Sequence, residues 1–318
     1  MFTGYYTHSD CKLHKMGQGH PEDPERLELI EDRLITSGLA DYLVYLQAEP
    51  ATDQDLMLVH TAEYCAWLHS EHQQLKNDIA AGGLPYRMID PDTRMNIHTM
   101  DAVMRSAGIV IAATHAVYKQ ELDNAFCAIR PPGHHAARNT TSGFCFINNV
   151  AIAAMYALER LKLERVAIVD MDVHHGNGTQ EIFQNDPRTM MVSFFQYPFF
   201  PYEKELPKNS EHILNIPVER YSKSDCIRQI VAEQWIPALD TFKPQMIFFS
   251  AGFDGHREDD MGQLGLHESD YAWITEQIKS IANKHAQGRI VSCLEGGYAD
   301  SALGRSAEAH IRVLAGLE

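Results

Sequence analysis

Asp172 and His174 stand two residues apart, just beyond the apolar run Val166-Ala-Ile-Val-Asp170, and Gly176 and Gly178 follow close behind. On an extended backbone that spacing sends both side chains to the same side. A carboxylate and an imidazole converging in this way hold a divalent cation of the zinc type. Asp-x-His by itself is a weak pattern. Repetition makes it stronger. Ala125–Ile129 leads into Arg130-Pro-Pro-Gly-His134-His135, Gln245–Ser250 leads into Ala-Gly-Phe-Asp254-Gly-His256, and Arg289–Leu294 leads into Glu295-Gly-Gly-Tyr298. Each strand-like run discharges polar groups into a loop bearing Gly or Pro, and loops on the rim of a rigid scaffold are where function concentrates.

Together these groups suit one chemistry. Asp172, His174 and Asp254 supply two carboxylates and one imidazole, which leaves a metal position open for water and substrate. That is the catalytic arrangement for zinc, not the structural one. Such a metal polarises a carbonyl and makes water a better nucleophile near neutral pH. His134 and His135 offer a base for the water proton and an acid for the leaving group. Tyr298, in a loop loosened by Gly296 and Gly297, is a donor for a developing oxyanion. The parts fit metal-assisted hydrolysis of an amide.

The elements that must position these residues alternate between strand and helix. Glu25–Thr36 has helical spacing, with Leu27, Ile30 and Leu34 on one side, after a turn at His20-Pro-Glu-Asp-Pro24. Thr61–Lys76, Thr99–Tyr118, Asn149–Arg160, Asp225–Leu239, Ser269–His285 and Ser301–Ala315 read as further helices. Ala80–Asn96, rich in Gly, Pro and Asp, reads as a long surface loop. Met190–Phe195 reads as a strand, followed by an aromatic, Pro-bearing loop through Pro207. The alternation predicts one doubly wound α/β domain over residues 1–318, with a mostly parallel sheet covered on both faces.

Composition narrows the function classes. A chain of 318 residues, 45% hydrophobic, can bury one large core or two modest ones, and α/β folds of this size often form a single domain. Its six cysteines show no CxxC pair, and several sit inside apolar runs, which reads as free thiols of a reducing compartment and predicts a cytoplasmic protein. No basic-plus-apolar leader and no stretch long enough to span a bilayer are visible, so no membrane partner is expected. A formal charge of −16 argues against a nucleic-acid surface and mildly favours cationic substrates.

Across nearly its whole length the chain resembles the histone deacetylase and acetylpolyamine amidohydrolase family. The matching segments are His20-Pro-Glu-Asp-Pro-Glu-Arg26, Arg130-Pro-Pro-Gly-His-His135, Gly143-Phe-Cys-Phe-Ile-Asn148, Asp170-Met-Asp-Val-His-His-Gly-Asn-Gly178, Ala251-Gly-Phe-Asp254 and Glu295-Gly-Gly-Tyr298. His-Pro-Glu near the start, and Asn177 where class I enzymes carry aspartate, resemble the class II branch and its bacterial histone deacetylase-like amidohydrolases. The resemblance implies the arginase–deacetylase fold and a metal-dependent deacetylase.

Position by position, it implies zinc on Asp172, His174 and Asp254, His135 as general base and acid, and His134 as an electrostatic partner. It makes Asp170 the carboxylate that orients His134, Asn177 the group facing His135, and Tyr298 the oxyanion donor. Gly143, Phe144 and Phe200 resemble the walls of an acyl-lysine tunnel, with Phe199 as a substitute for Phe200. Arg26 resembles an arginine near a product channel. A potassium ion is implied at Asp170, Asp172, His174, Ser193 and the backbone of Phe194.

Other salient residues have plainer readings. His175 points to the other side of the strand end and reads as a packed histidine. His256 reads as loop structure, His69, His72 and His115 as helix surface or packing residues, and Trp67, Trp235 and Trp273 as core or interface. The leading expectation is a zinc-dependent amidohydrolase that removes acetyl or other acyl groups from lysine side chains of a protein or peptide. The alternative is a deacetylase of acetylated polyamines or another small acylamine, and a third reading is an inactive acyl-binding member of the family. The third is disfavoured because each catalytic position holds a working residue type.

Overall fold

Val166–Asp170 is a strand in which every residue is buried, as a strand covered on both faces requires. The structure is a computed structural model and describes residues 2–202 and 205–317. Its strands are β1 (Thr3–Tyr6), β2 (Leu43–Leu46), β3 (Tyr86–Met88), β4 (Arg94–Asn96), β5 (Asn124–Cys127), β6 (Val166–Asp170), β7 (Thr189–Gln196), β8 (Ile213–Val218), β9 (Ile247–Ala251) and β10 (Ile290–Leu294). Eight of them form one sheet in the order β2-β1-β5-β10-β9-β6-β7-β8, every pair parallel. Helices connect the strands. The doubly wound α/β architecture is the one expected.

Register places the site. Asp170 on β6 is level with Ser250 on β9 and with Ser193 on β7, while Ser250 is level with Cys293 on β10 and Cys293 with Cys127 on β5. The four central strands therefore end at one level, and their following loops emerge along one edge. Open α/β sheets bind ligands at that edge.

Helix limits follow local chemistry. Glu25–Thr36 buries Leu27, Ile30 and Leu34, as the 3.6-residue period dictates, and stops where Gly38 takes a left-handed φ of 73° just past the cap. The apolar helix Thr99–Tyr118 is buried along most of its length. At its middle, a Cβ on Gly108 would lie 1.9 Å from the Glu49 carbonyl oxygen, so only glycine admits that crossing chain. Thr61 caps the helix Ala62–Ala80 by accepting from the Tyr64 N–H, and that helix runs further than the expected Lys76.

The structure corrects several expectations. Residues 80–96 are not all loop: β3 and β4 pair as an antiparallel hairpin. Asp90 closes its turn, Oδ1 accepting from the N–H groups of Asp92 and Thr93. Strands of three residues are too short to show alternation. The helix expected over Asp225–Leu239 forms as Ser224–Ile230, a wider π turn Val231–Trp235, and Ile236–Phe242. Pro237, which has no N–H to give the preceding turn, lies just past the wide turn, and Trp235 stacks on Phe194 at 5.3 Å.

The edge strand β8 gave no strand signal because Asn215 and Pro217 interrupt it. At a sheet edge Pro217 leaves no ladder bond unmade on its outer side. Residues 203 and 204 of the aromatic loop, and the two ends of the 1–318 span, lie outside the described residues. Among the described residues no helix is long and apolar enough to cross a membrane. The cysteines are free thiols, all buried except Cys226.

Candidate active site

Because β6 and β9 are neighbours, the residues two and four past Asp170 meet the residue four past Ser250. The ligand atoms of Asp172, His174 and Asp254 lie within 4.8 Å of one another, all three residues buried, and among the described residues no other cluster of this kind is found. His174 Nδ1 is 3.0 Å from Asp172 Oδ1 and 3.1 Å from Asp254 Oδ2. Backbone N–H groups orient the carboxylates: Gly296 donates to Asp172 Oδ2 at 2.9 Å and Val173 to Asp254 Oδ1 at 2.8 Å. A Cβ on Gly252 would lie 2.0 Å from Asp172 Oδ2, and one on Gly296 2.0 Å from Asp254 Oδ2. The glycines flanking the cluster are thus a condition of its geometry.

Electrostatics point the same way. Burial and the Asp172 charge push the Asp254 carboxyl up to about 7. Burial would lower the His174 pKa, but the Asp254 and Asp172 carboxylates outweigh it and raise it to about 10. Two buried carboxylates this close demand a positive partner, and a divalent cation satisfies both where one imidazolium proton serves them poorly. Two oxygens and one nitrogen with an open side form a donor set that zinc accepts.

The tandem histidines follow β5. Gly133 and His134 donate their N–H groups to Glu295 Oε2 at 2.6 and 3.1 Å, which ties this loop to the end of β10. His134 Nδ1 lies 3.0 Å from Asp170 Oδ2, and its Nε2 lies 3.8 Å from Asp172 Oδ1. Burial opposes a charge there, yet Asp172 and Asp170 raise the His134 pKa well above the usual imidazole value. His135 behaves oppositely. Burial, with the His134 and His174 charges, holds its pKa well below the usual value. Its Nδ1–H donates to the neutral Asn177 Oδ1 at 2.8 Å, which leaves Nε2 as the basic atom.

A cavity of about 270 Å³ opens above these groups, and Gly143, Phe144, Phe199, Phe200, Met261 and Tyr298 contribute to its walls. Phe200 meets His135 edge-on at 5.0 Å, and Phe199 stacks on His174 at 5.3 Å. Gly143 has a φ of 53°, and a Cβ there would lie 2.4 Å from the His135 ring. Phe144 faces Tyr298 edge-on at 6.0 Å. Burial pushes the Tyr298 hydroxyl pKa well up, so it stays a donor. Arg26 lies over the Tyr298 ring at 4.8 Å. Asp170 and Ser193 sit level on adjacent strands, with Phe194 next along.

His175 stands apart from the cluster, its ring against Phe195 at 4.7 Å. His256 is buried beside Glu268 at 3.6 Å.

Two residue roles escaped the sequence reading, and a third residue sits differently from the expectation. Phe199 lines the cavity together with Phe200 instead of replacing it. Asp92 lines the same cavity from the β3–β4 turn, and burial with the neighbouring Asp90 pushes its carboxyl up to about 6. Glu295 grips the histidine loop; a carboxylate ending an apolar run was the only available signal.

The histone deacetylase domain family matches residues 20–314. The chain belongs to the histone deacetylase family. Among its relatives in that family, a probable deacetylase of Archaeoglobus fulgidus is 37% identical over 305 residues, covering 94% of this chain and 82% of the relative. A histone deacetylase-like amidohydrolase of Pseudomonas aeruginosa is 35% identical over 289 residues, covering 89% and 73% of the two chains. The crystal structure of the HDA15 HD domain superposes with a TM-score of 0.89 at 29% identity, covering 99% of this chain and 89% of that one. The expected arginase–deacetylase fold is the observed fold, and membership of the histone deacetylase family makes this chain a hydrolytic deacetylase.

Proposed function

We propose that the protein is a zinc-dependent amidohydrolase that removes acetyl groups from lysine side chains. The observation that carries this reading is the buried Asp172–His174–Asp254 cluster at the base of a phenyl-walled cavity, with a neutral histidine beside it. Asp172, His174 and Asp254 would hold zinc, which when bound polarises an acyl carbonyl and makes water a better nucleophile near neutral pH.

The protein's own groups supply the proton transfers. His135 Nε2 takes the proton of the attacking water as the new C–O bond forms at the carbonyl carbon. The Tyr298 hydroxyl donates to the carbonyl oxygen as negative charge grows on it. His135 then returns the proton to the amine nitrogen as the C–N bond breaks, releasing a carboxylate and a free amine. His134, kept cationic by Asp170 and Asp172, stabilises negative charge without giving up its proton. Phenyl walls from Phe144, Phe199 and Phe200 accept an apolar four-carbon stem better than a charged one. Potassium is proposed beside the cluster, at Asp170, Asp172, His174, Ser193 and the Phe194 backbone.

The test is a substrate panel on zinc-loaded protein, comparing acetyl-lysine peptides, longer acyl-lysines and acetylpolyamines. Acetyl-lysine peptides are expected to show the highest kcat/KM. A tenfold or greater preference for an acetylpolyamine would replace this reading with the small-amine alternative.

A further inference from the structure

The peptide group before Tyr298 is held at both of its polar ends by side chains of opposite charge. Arg26 Nε donates to the Gly297 carbonyl oxygen at 2.7 Å. On the other end, the Tyr298 N–H donates to Asp259 Oδ2 at 2.6 Å, and the Ala299 N–H to the same oxygen at 3.1 Å. Asp259 Oδ1 accepts from the Met261 N–H at 2.9 Å. Asp259 is 5% exposed, and the hydrogen-bond donors found around its carboxylate are main-chain N–H groups.

Such a grip is needed here. Gly296 and Gly297 precede the tyrosine, and Gly297 has a φ of 121°, so the local chain has no steric preference for one orientation. The helix Asp300–Leu314 follows with Ala299 at its N-cap position, which has no side-chain oxygen to serve the first N–H groups. Asp259, on a different loop five residues beyond Asp254, instead accepts from the two N–H groups just ahead of the helix, those of Tyr298 and Ala299. Fixing the plane of the 297–298 peptide removes a rotation that would otherwise swing the phenol away from the reacting carbonyl, and an ångström of misplacement is costly to catalysis.

We infer that Asp259 is the positioning residue for Tyr298: it holds the tyrosine loop in the orientation from which the hydroxyl reaches the oxyanion. The inference rests on the reading of Tyr298 as the oxyanion donor. Asp259 touches no reacting atom, so its effect passes through the tyrosine and vanishes when the tyrosine has no hydroxyl to aim.

The experiment is a double-mutant cycle on the zinc-loaded enzyme with Asp259→Ala, Asp259→Asn, Tyr298→Phe and the two double variants. Tyr298→Phe is expected to lower kcat by roughly 10²–10³, the effect of one lost oxyanion donor. Asp259→Ala is expected to lower kcat by at least tenfold, with KM and zinc content within about twofold of wild type, a benchmark set by how small an effect a positioning role leaves on ground-state binding. Asn keeps an oxygen for the Tyr298 and Ala299 N–H groups but turns its NH2 toward the Met261 N–H, so it should restore part of that loss. In the Tyr298→Phe background either Asp259 change should slow turnover no further. Amide hydrogen exchange over residues 296–300 should speed up in Asp259→Ala, a readout independent of turnover.

If Asp259→Ala does not fold, the Asn variant carries the cycle, with a smaller loss that must again disappear in the Tyr298→Phe background. Losses that multiply in the double variant, or wild-type turnover in Asp259→Ala while Tyr298→Phe is slow, overturn the inference. Wild-type turnover in Tyr298→Phe instead overturns the role of the tyrosine itself.

Discussion

Asn177 faces His135 across a single hydrogen bond of 2.8 Å, an uncharged amide beside the imidazole proposed as base. Its neighbour His134 faces a carboxylate at 3.0 Å. Two adjacent histidines thus have partners of different charge, and with them opposite pKa directions. Burial and the His134 and His174 charges hold the His135 pKa well below the usual value, and the neutral Asn177 amide offsets them less than a carboxylate would. Replacing Asn177 with Asp adds a nearby anion, which stabilises imidazolium. The acid limb of kcat/KM should therefore move up by about one pH unit or more. An acid limb left where it was in Asn177→Asp would show that His135 is not the base being titrated.

Metal retention should depend on Asp254. It is one of three converging ligand residues and the only one brought in from β9. Asp254→Ala leaves two ligands, too few for tight zinc binding. Zinc content measured on the purified variant should fall with turnover, while the thermal midpoint stays measurable. Full zinc occupancy in Asp254→Ala would mean that the metal is held elsewhere.

Substrate choice should respond to Met261, which lines the cavity. A thioether there cannot pair with a distal ammonium, so an acetyl-lysine peptide should be turned over with higher kcat/KM than N8-acetylspermidine. Met261→Glu introduces such a partner and should move the ratio toward the polyamine by roughly tenfold, the scale of about 1.4 kcal/mol. A ratio unmoved by this substitution would place the specificity determinant elsewhere on the rim.

Acid should destabilise the fold through buried neutral histidines. His310 is fully buried between the Thr275 and Ser292 hydroxyls, and burial lowers its pKa to about 3. The unfolded chain binds a proton on this imidazole as pH falls through about 6.5, while the folded chain does not until about 3. Its contribution is whole above about 6.5 and is lost progressively below, amounting to about 2 kcal/mol between pH 7 and pH 5. Urea melts at those two pH values should show a smaller pH dependence in His310→Gln than in wild type. Equal pH dependence in both proteins would remove His310 from the account.

Much of this site was legible in residue types and short spacings. The apolar run Val166–Val169 announced its strand, but Asp172 and His174 lie past the strand end in a bend, where the His174 N–H donates to Asp172 Oδ1, so a turn and not strand alternation brings them together. The helices Glu25–Thr36 and Thr99–Tyr118 have the expected limits, the first because its apolar period marks one covered face, the second because its apolar content marks a helix buried along most of its length. Local signals were too short for the β3–β4 hairpin and misleading for β8, where an edge position tolerates a proline that a central strand would reject.

What no local pattern carries is the pairing of distant segments. Strand order alone set β9 beside β6 and so delivered Asp254 to ligands some 80 residues earlier. It also let Glu295 grip a histidine loop 161 residues away, and brought Arg26 and Asp259 to opposite ends of one peptide group. Residue types determined which chemistry was available. Sheet register, a property of the whole chain packing at once, decided which of those residues touch.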